Sequence, residues 1–117
     1  MSTRIKLAVA LAPLLYASFA APLARAETDQ DYLYLLYSLN LAPIKCSLPV
    51  SAAQHGQITA SIAGFESKLH IDSAKAAEGV ARVAQAMDEA IKPNPQAACK
   101  EMNGLLSYAL QKIPKPN

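Results

Sequence analysis

Cys46 and Cys99 are the only two cysteines in the chain, and a covalent link between them would constrain the fold more than any other pair of residues. Whether they are linked depends on the compartment, and the first residues bear on that. Residues 1 to 26 have the three zones of an export signal: a basic start (Arg4, Lys6), an apolar run from Leu7 to Leu23, and Ala24-Arg25-Ala26 ahead of the acidic Glu27. Small residues at the first and third positions before a cut suit the peptidase cleft, so cleavage after Ala26 is expected. An uncleaved anchor is the competing reading. The apolar run is about 17 residues, broken by Pro13 and Pro22, which is marginal for roughly 30 Å of hydrocarbon. No cysteine lies near the cut to carry a lipid, so no stable membrane anchor is expected.

Export places both cysteines in an oxidising setting, periplasmic or extracellular, where one intramolecular bridge is the default. Closing a loop of 53 positions stabilises a fold by about 4 kcal/mol in the chain-entropy model. A domain left with about 91 residues (117 minus 26) often has only roughly 5 to 10 kcal/mol in all. The bridge should therefore be a large share of its stability. A redox role is disfavoured, since there is no Cys-x-x-Cys and no second pair for exchange.

Removing the signal also removes Arg4, Lys6 and Arg25 from the formal charge of +2. Eight basic and nine acidic side chains remain (11 minus 3, against 9), a net of about −1. That excludes a basic footprint for nucleic acid and a polybasic patch for membranes.

The rest of the chain reads as four helices, an all-α bundle over residues 27–113, with 114–117 (Pro-Lys-Pro-Asn) as a flexible tail. Glu27 to Asn40 starts with Thr28 or Asp29 as cap. Its apolar and aromatic residues cover well over half the circumference, leaving Ser38 and Asn40 as polar relief. Such a helix is either enclosed or meets a partner. Leu41 to Val50 reads as loop, because Pro43 and Pro49 interrupt helix on either side of Cys46. Ser51 with Gln54 forms a capping-box pattern opening a second helix to about Leu69. Its seam is Ile58, Ile62, Phe65 and Leu69. A second face of Gly56, Ala60, Gly64 and Ser67 is expected to admit a neighbouring backbone, since each mid-helix glycine costs about 1 kcal/mol against alanine.

Asp72 or Ser73 caps a third helix, about Ala74 to Lys92, with the stripe Ala76, Val80, Val83, Met87 and Ile91. Glu78 with Arg82 and Asp88 with Lys92 stand four apart on its solvated face. Asn94 and Pro95 open a fourth helix to about Lys112. Its stripe runs Cys99, Met102, Leu105, Leu106, Ala109, Leu110 and Ile113, so the bridge is expected to reach the inner face of the last helix. In outline, short, helical and single-bridged, the chain resembles acid-stress periplasmic chaperones. That resemblance is architectural, carried by no specific motif, and nine acidic residues give little material for an acid switch.

Chemistry is sparse. His55 and His70 lie fifteen positions apart, roughly 22 Å along one helix, too far to share an ion; no metal and no cofactor is expected. Each histidine reads as a surface or helix-end polar residue, with a modest pH-sensitive role for His55, beside the apolar seam, as the alternative. Ser51 and Ser73 read as caps rather than nucleophiles. The carboxylate pairs Asp29/Asp31 and Asp88/Glu89 lie on exposed stretches, whereas acid-base work needs a protected cleft. The four glycines never cluster into a phosphate cradle. No enzyme is expected.

Contact surface remains. Tyrosine offers apolar area and a hydroxyl on few rotatable bonds, so Tyr32, Tyr34 and Tyr37, with Leu33, are the expected interaction surface for another exported protein. The competing assignment places two of these tyrosines in the core. Self-association through the first helix or the small-residue face of the second is a further expectation. The alternative function is a carrier of a small apolar ligand, held among Ile58, Phe65, Met87, Met102 and Leu106.

Overall fold

The computed structural model describes residues 28–114 and shows an all-α fold of four helices: α1 (Asp29–Cys46), α2 (Ala52–Lys68), α3 (Ser73–Ile91) and α4 (Pro95–Lys112). The expected signal, its cleavage site and the last three residues of the tail lie outside the described residues.

Each helix begins where a side chain accepts a backbone N–H that the first turn leaves without a partner. Thr28 accepts from Asp31, Asp72 from Lys75 and Asn94 from Ala97. At α2 the capping box is complete: Ser51 Oγ accepts from the Gln54 N–H, and Gln54 Oε1 accepts from the Ser51 N–H, both at 3.0 Å.

The end of α1 departs from the expected loop. The helix carries through Pro43 to Cys46. Proline costs most in a helix interior, where it removes a donor and crowds the preceding turn; here it falls in the last turn. Its carbonyl accepts from the N–H groups of Ser47 and Leu48, closing the helix with Ser47 left-handed at φ 55°. Burial of Leu39 and Ala42 just before and the bridge at Cys46 hold this turn against the core. At the end of α2, Ile71 N–H bonds the Glu66 carbonyl and His70 N–H bonds the Ser67 carbonyl. His70, at φ 56°, stands where glycine is more usual.

α1 packs against all three other helices, most extensively against α2 and then α3. This resolves the ambiguity of its over-wide apolar surface: most of it is enclosed, with Leu33, Leu35, Leu36, Tyr37, Leu39 and Ala42 all buried. Even the expected polar relief is partly covered, since Asn40 Oδ1 is shielded from solvent without a hydrogen-bond partner among the described residues. The core joins Leu35 and Leu39 of α1 with Ile58 of α2, Met87 and Ala90 of α3, and Met102, Leu105 and Leu106 of α4. The expected stripe of α4 is the inner face. On α3 the buried positions are Gly79, Met87 and Ala90, with Ala76, Val80, Val83 and Ile91 at the margin.

Cys46 and Cys99 are bonded, so the bridge joins the last residue of α1 to the first half of α4. This disulfide is compatible with an oxidising compartment. Among the described residues no helix is long and apolar enough to cross a membrane.

Two other expectations are corrected. Among the described residues no backbone enters the face of Gly56, Ala60, Gly64 and Ser67: a Cβ on Gly56 or Gly64 would meet nothing there within 4 Å. α2 turns Gln57 and Ile58 to its neighbours instead, and of the seam only Ile58 is fully buried, with Ile62, Phe65 and Leu69 partly so. Asp88 does not pair with Lys92. It binds Lys45 of α1 at 2.7 Å, while Lys92 lies 3.8 Å from Glu89, because packing brings a cation of α1 closer than the next turn of α3.

Candidate interaction site

Successive residues on a helix point about 100° apart, so Tyr32, Leu33 and Tyr34 cannot share an environment. Leu33 and Tyr37, four apart, turn inward and are 1% and 3% exposed; Tyr32 and Tyr34 stay at the surface at 42% and 37%. The expected four-residue contact surface is therefore halved. Tyr37 and Leu33 belong to the interior because α3 covers that side of α1, and Gly79 of α3 is what lets it come so close. A Cβ there would lie 3.1 Å from Tyr37 Cε2 and 3.4 Å from Tyr34 Cε1.

Three contacts clamp the first half of α1 to the second half of α2. Asp29 pairs with Lys68 at 2.8 Å, an exposed bridge worth about 0–1 kcal/mol. The Tyr32 ring stacks on Phe65, centroids 6.0 Å apart and planes within 5°. Tyr37 donates its hydroxyl hydrogen to Glu66 Oε2 at 2.8 Å. Burial foremost, then the hydrogen bond and charge of Glu66 and the nearness of Tyr34, push the Tyr37 hydroxyl well above the ordinary tyrosine range. Tyr34 in turn packs on Tyr37, centroids 6.1 Å apart. The exposed aromatics are thus held by neighbours rather than free to swing.

Beside Tyr34 a cleft of about 340 Å³ opens between α1 and α3. Gln30, Tyr34 and Tyr37 line it from α1, and Lys75, Glu78, Gly79 and Arg82 from α3. A wider groove between α2 and α4 is lined by uncharged groups, including Ala53, Gly56, Gln57, Ser107 and Leu110. Gln57 is buried there, and its amide nitrogen donates to the carbonyls of Leu110 at 2.9 Å and Ile113 at 2.7 Å. It caps the end of α4 from another helix. Tyr108, half exposed on α4, lies under the Lys112 ammonium at 5.4 Å.

The residues expected to line an apolar cavity divide between the core and the contact of α1 with α2. Ile58, Met87, Met102 and Leu106 are packed in the core at 1–3% exposed, and Phe65 lies under Tyr32; the cleft and groove above are lined by other side chains. Ser51 serves as a cap, and Ser73 opens α3 behind its cap Asp72. Among the described residues no three His, Cys, Asp or Glu side chains converge, and His55 and His70 are both exposed. Sequence reasoning passed over Gln57, Glu66, Lys45 and Gly79. Only Gln57 left a trace, a lone amide next to the apolar seam at Ile58; the others act through contacts across the fold.

No protein-family model matches the chain, and comparison with curated proteins and with solved structures finds no match either.

Proposed function

We propose that the protein is exported, periplasmic or secreted, and works without catalysis by binding another exported protein as inhibitor, immunity factor, chaperone or assembly partner. The observation carrying this is a pair of solvent-facing tyrosines, Tyr32 and Tyr34, held in place by Phe65 and Tyr37 on a disulfide-braced helix. Aromatic groups already ordered before contact lose little side-chain entropy on binding, and tyrosine is prominent among residues that dominate interface energies.

The test is cross-linked capture from an envelope extract using the purified exported protein. The wild type is expected to retain a partner that the double variant Tyr32→Ala/Tyr34→Ala loses at a temperature where both are fully folded, the variant melting lower for want of its contacts with Phe65 and Tyr37. A monomer that retains nothing, with the double variant altering stability alone, refutes the proposal. A native mass spectrum at the bare chain mass accords with it; a co-purifying apolar ligand favours the carrier alternative.

A further inference from the structure

We infer that the cleft between α1 and α3 receives an extended acidic segment of the partner protein, with carboxylates seated on Lys75 and Arg82. This rests on the protein-binding function proposed above and assigns the chemistry that the partner must present.

The cleft has a closed floor and an open, cationic rim. Leu33 and Tyr37 are buried beneath it, and Gly79 brings α3 against the Tyr37 ring. The hydrogen bond to Glu66 keeps that ring from swinging aside. One wall is Tyr34, exposed enough to offer its ring and hydroxyl; Gln30 lies one helical turn before it and adds an amide able to meet a peptide backbone.

Lys75 and Arg82 stand on either side of Gly79, four residues before it and three after, on one face of α3, with the carboxylate of Glu78 between them. Seven residues of helix separate them by about 10 Å along the axis, the reach of about three residues of extended chain. Carboxylates two residues apart on one face of an extended segment stand about 7 Å from each other, within reach of these two long, exposed side chains, and a cleft of about 340 Å³ is at the small end of ligand sites.

Charge selects the occupant. Among the described residues Lys75 has no ion-pair partner, and Arg82 has only Glu78 at 3.7 Å, with both side chains largely in solvent. That pair is weak and easily exchanged for a carboxylate bound by both arms of the guanidinium. Two cations against one carboxylate leave this rim positive on a chain whose mature part is net acidic, so an acidic segment is attracted and a basic one repelled.

The test uses nuclear magnetic resonance of the isotope-labelled exported protein titrated with hexaglutamate, with hexaglutamine and citrate in parallel. Hexaglutamate is expected to shift the amides of Gln30, Tyr34, Lys75, Gly79 and Arg82, and hexaglutamine to leave them in place. Lys75→Ala/Arg82→Ala, both surface changes, should weaken binding at least tenfold with an unchanged melting temperature, and the single charge-conserving Lys75→Arg should keep most of it. Shifts spread evenly over Lys45, Lys68 and Lys100, or affinity indifferent to the double variant, overturn the proposal. Citrate binding as tightly as hexaglutamate overturns the peptide assignment in favour of a small acid. Partner capture that survives Lys75→Ala/Arg82→Ala but not Tyr32→Ala/Tyr34→Ala removes the cleft and leaves the protein-binding function intact. Hexaglutamate seated in the cleft of a protein that captures no partner supports the cleft and faults that function.

Discussion

The Tyr37 hydroxyl hydrogen-bonds Glu66 Oε2 at 2.8 Å across 29 positions of sequence, tying the middle of α1 to the last turns of α2 at the point where α3 presses closest. Because the ring is buried and the acceptor carries charge, Tyr37→Phe should cost about 1 to 2 kcal/mol, read as a lower urea midpoint with an unchanged slope. A variant as stable as the wild type would show that the bond contributes nothing net.

The same pair predicts an alkaline limit. In the unfolded chain a tyrosine ionises near pH 10; in the fold, burial and Glu66 hold Tyr37 protonated well beyond that. Its folded pKa is raised, so its contribution to stability is whole below about pH 10 and is lost as pH climbs towards the folded value. Stability measured from pH 8 to 11 should fall less steeply in Tyr37→Phe than in the wild type. Absorbance at 295 nm should report Tyr37 ionising last among the tyrosines; early ionisation of all of them contradicts the burial described.

Two glycines should respond with opposite signs. Gly64→Ala, with open space around the new Cβ, should gain about 0.5 to 1 kcal/mol from helix propensity. Gly79→Ala gains the same propensity but sets a Cβ 3.1 Å from the Tyr37 ring, which Glu66 keeps from yielding, so a net loss of about 1 kcal/mol is expected. Thermal melts of the two side by side decide it, and equal stabilisation would mean that α3 lies farther from α1.

Gln57→Leu should loosen the far end of α4. Its amide serves the carbonyls of Leu110 and Ile113, and a leucine of similar size leaves both without that donor. We expect about 1 to 3 kcal/mol of lost stability, with faster hydrogen exchange confined to the last turns of α4. Unchanged exchange there would show that water replaces the amide at no cost.

Reduction should weaken the whole fold. Cys46→Ala/Cys99→Ala removes a bridge closing 53 positions, worth about 4 kcal/mol in the chain-entropy model, equivalent to a fall of roughly 15 to 30 °C in melting temperature for a domain of this size. A fall of only a few degrees would mean that core packing alone carries the domain.

The sequence by itself determined where the helices start and which sulfurs meet. Capping is settled within three residues, so Ser51 with Gln54, Asp72 and Asn94 announce α2, α3 and α4 before any packing exists, and two cysteines allow one pairing. The inner stripe of α4 was legible too, because a helix with one apolar face has one way to bury it. Tertiary structure decided the rest. α1 and α2 offer apolar or small residues around much of their surface, so periodicity, which placed Ile58 in the seam, could not say that Gln57 would turn inward beside it and the glycine face outward. Pro43 stays helical because its turn is packed and bridged, which no local rule registers. Asp88 meets Lys45, Tyr37 meets Glu66, and Lys75 and Arg82 gain a cleft only when the axes of distant helices are set side by side. Those relations depend on distances across the fold, and a one-dimensional pattern holds only distances along the chain.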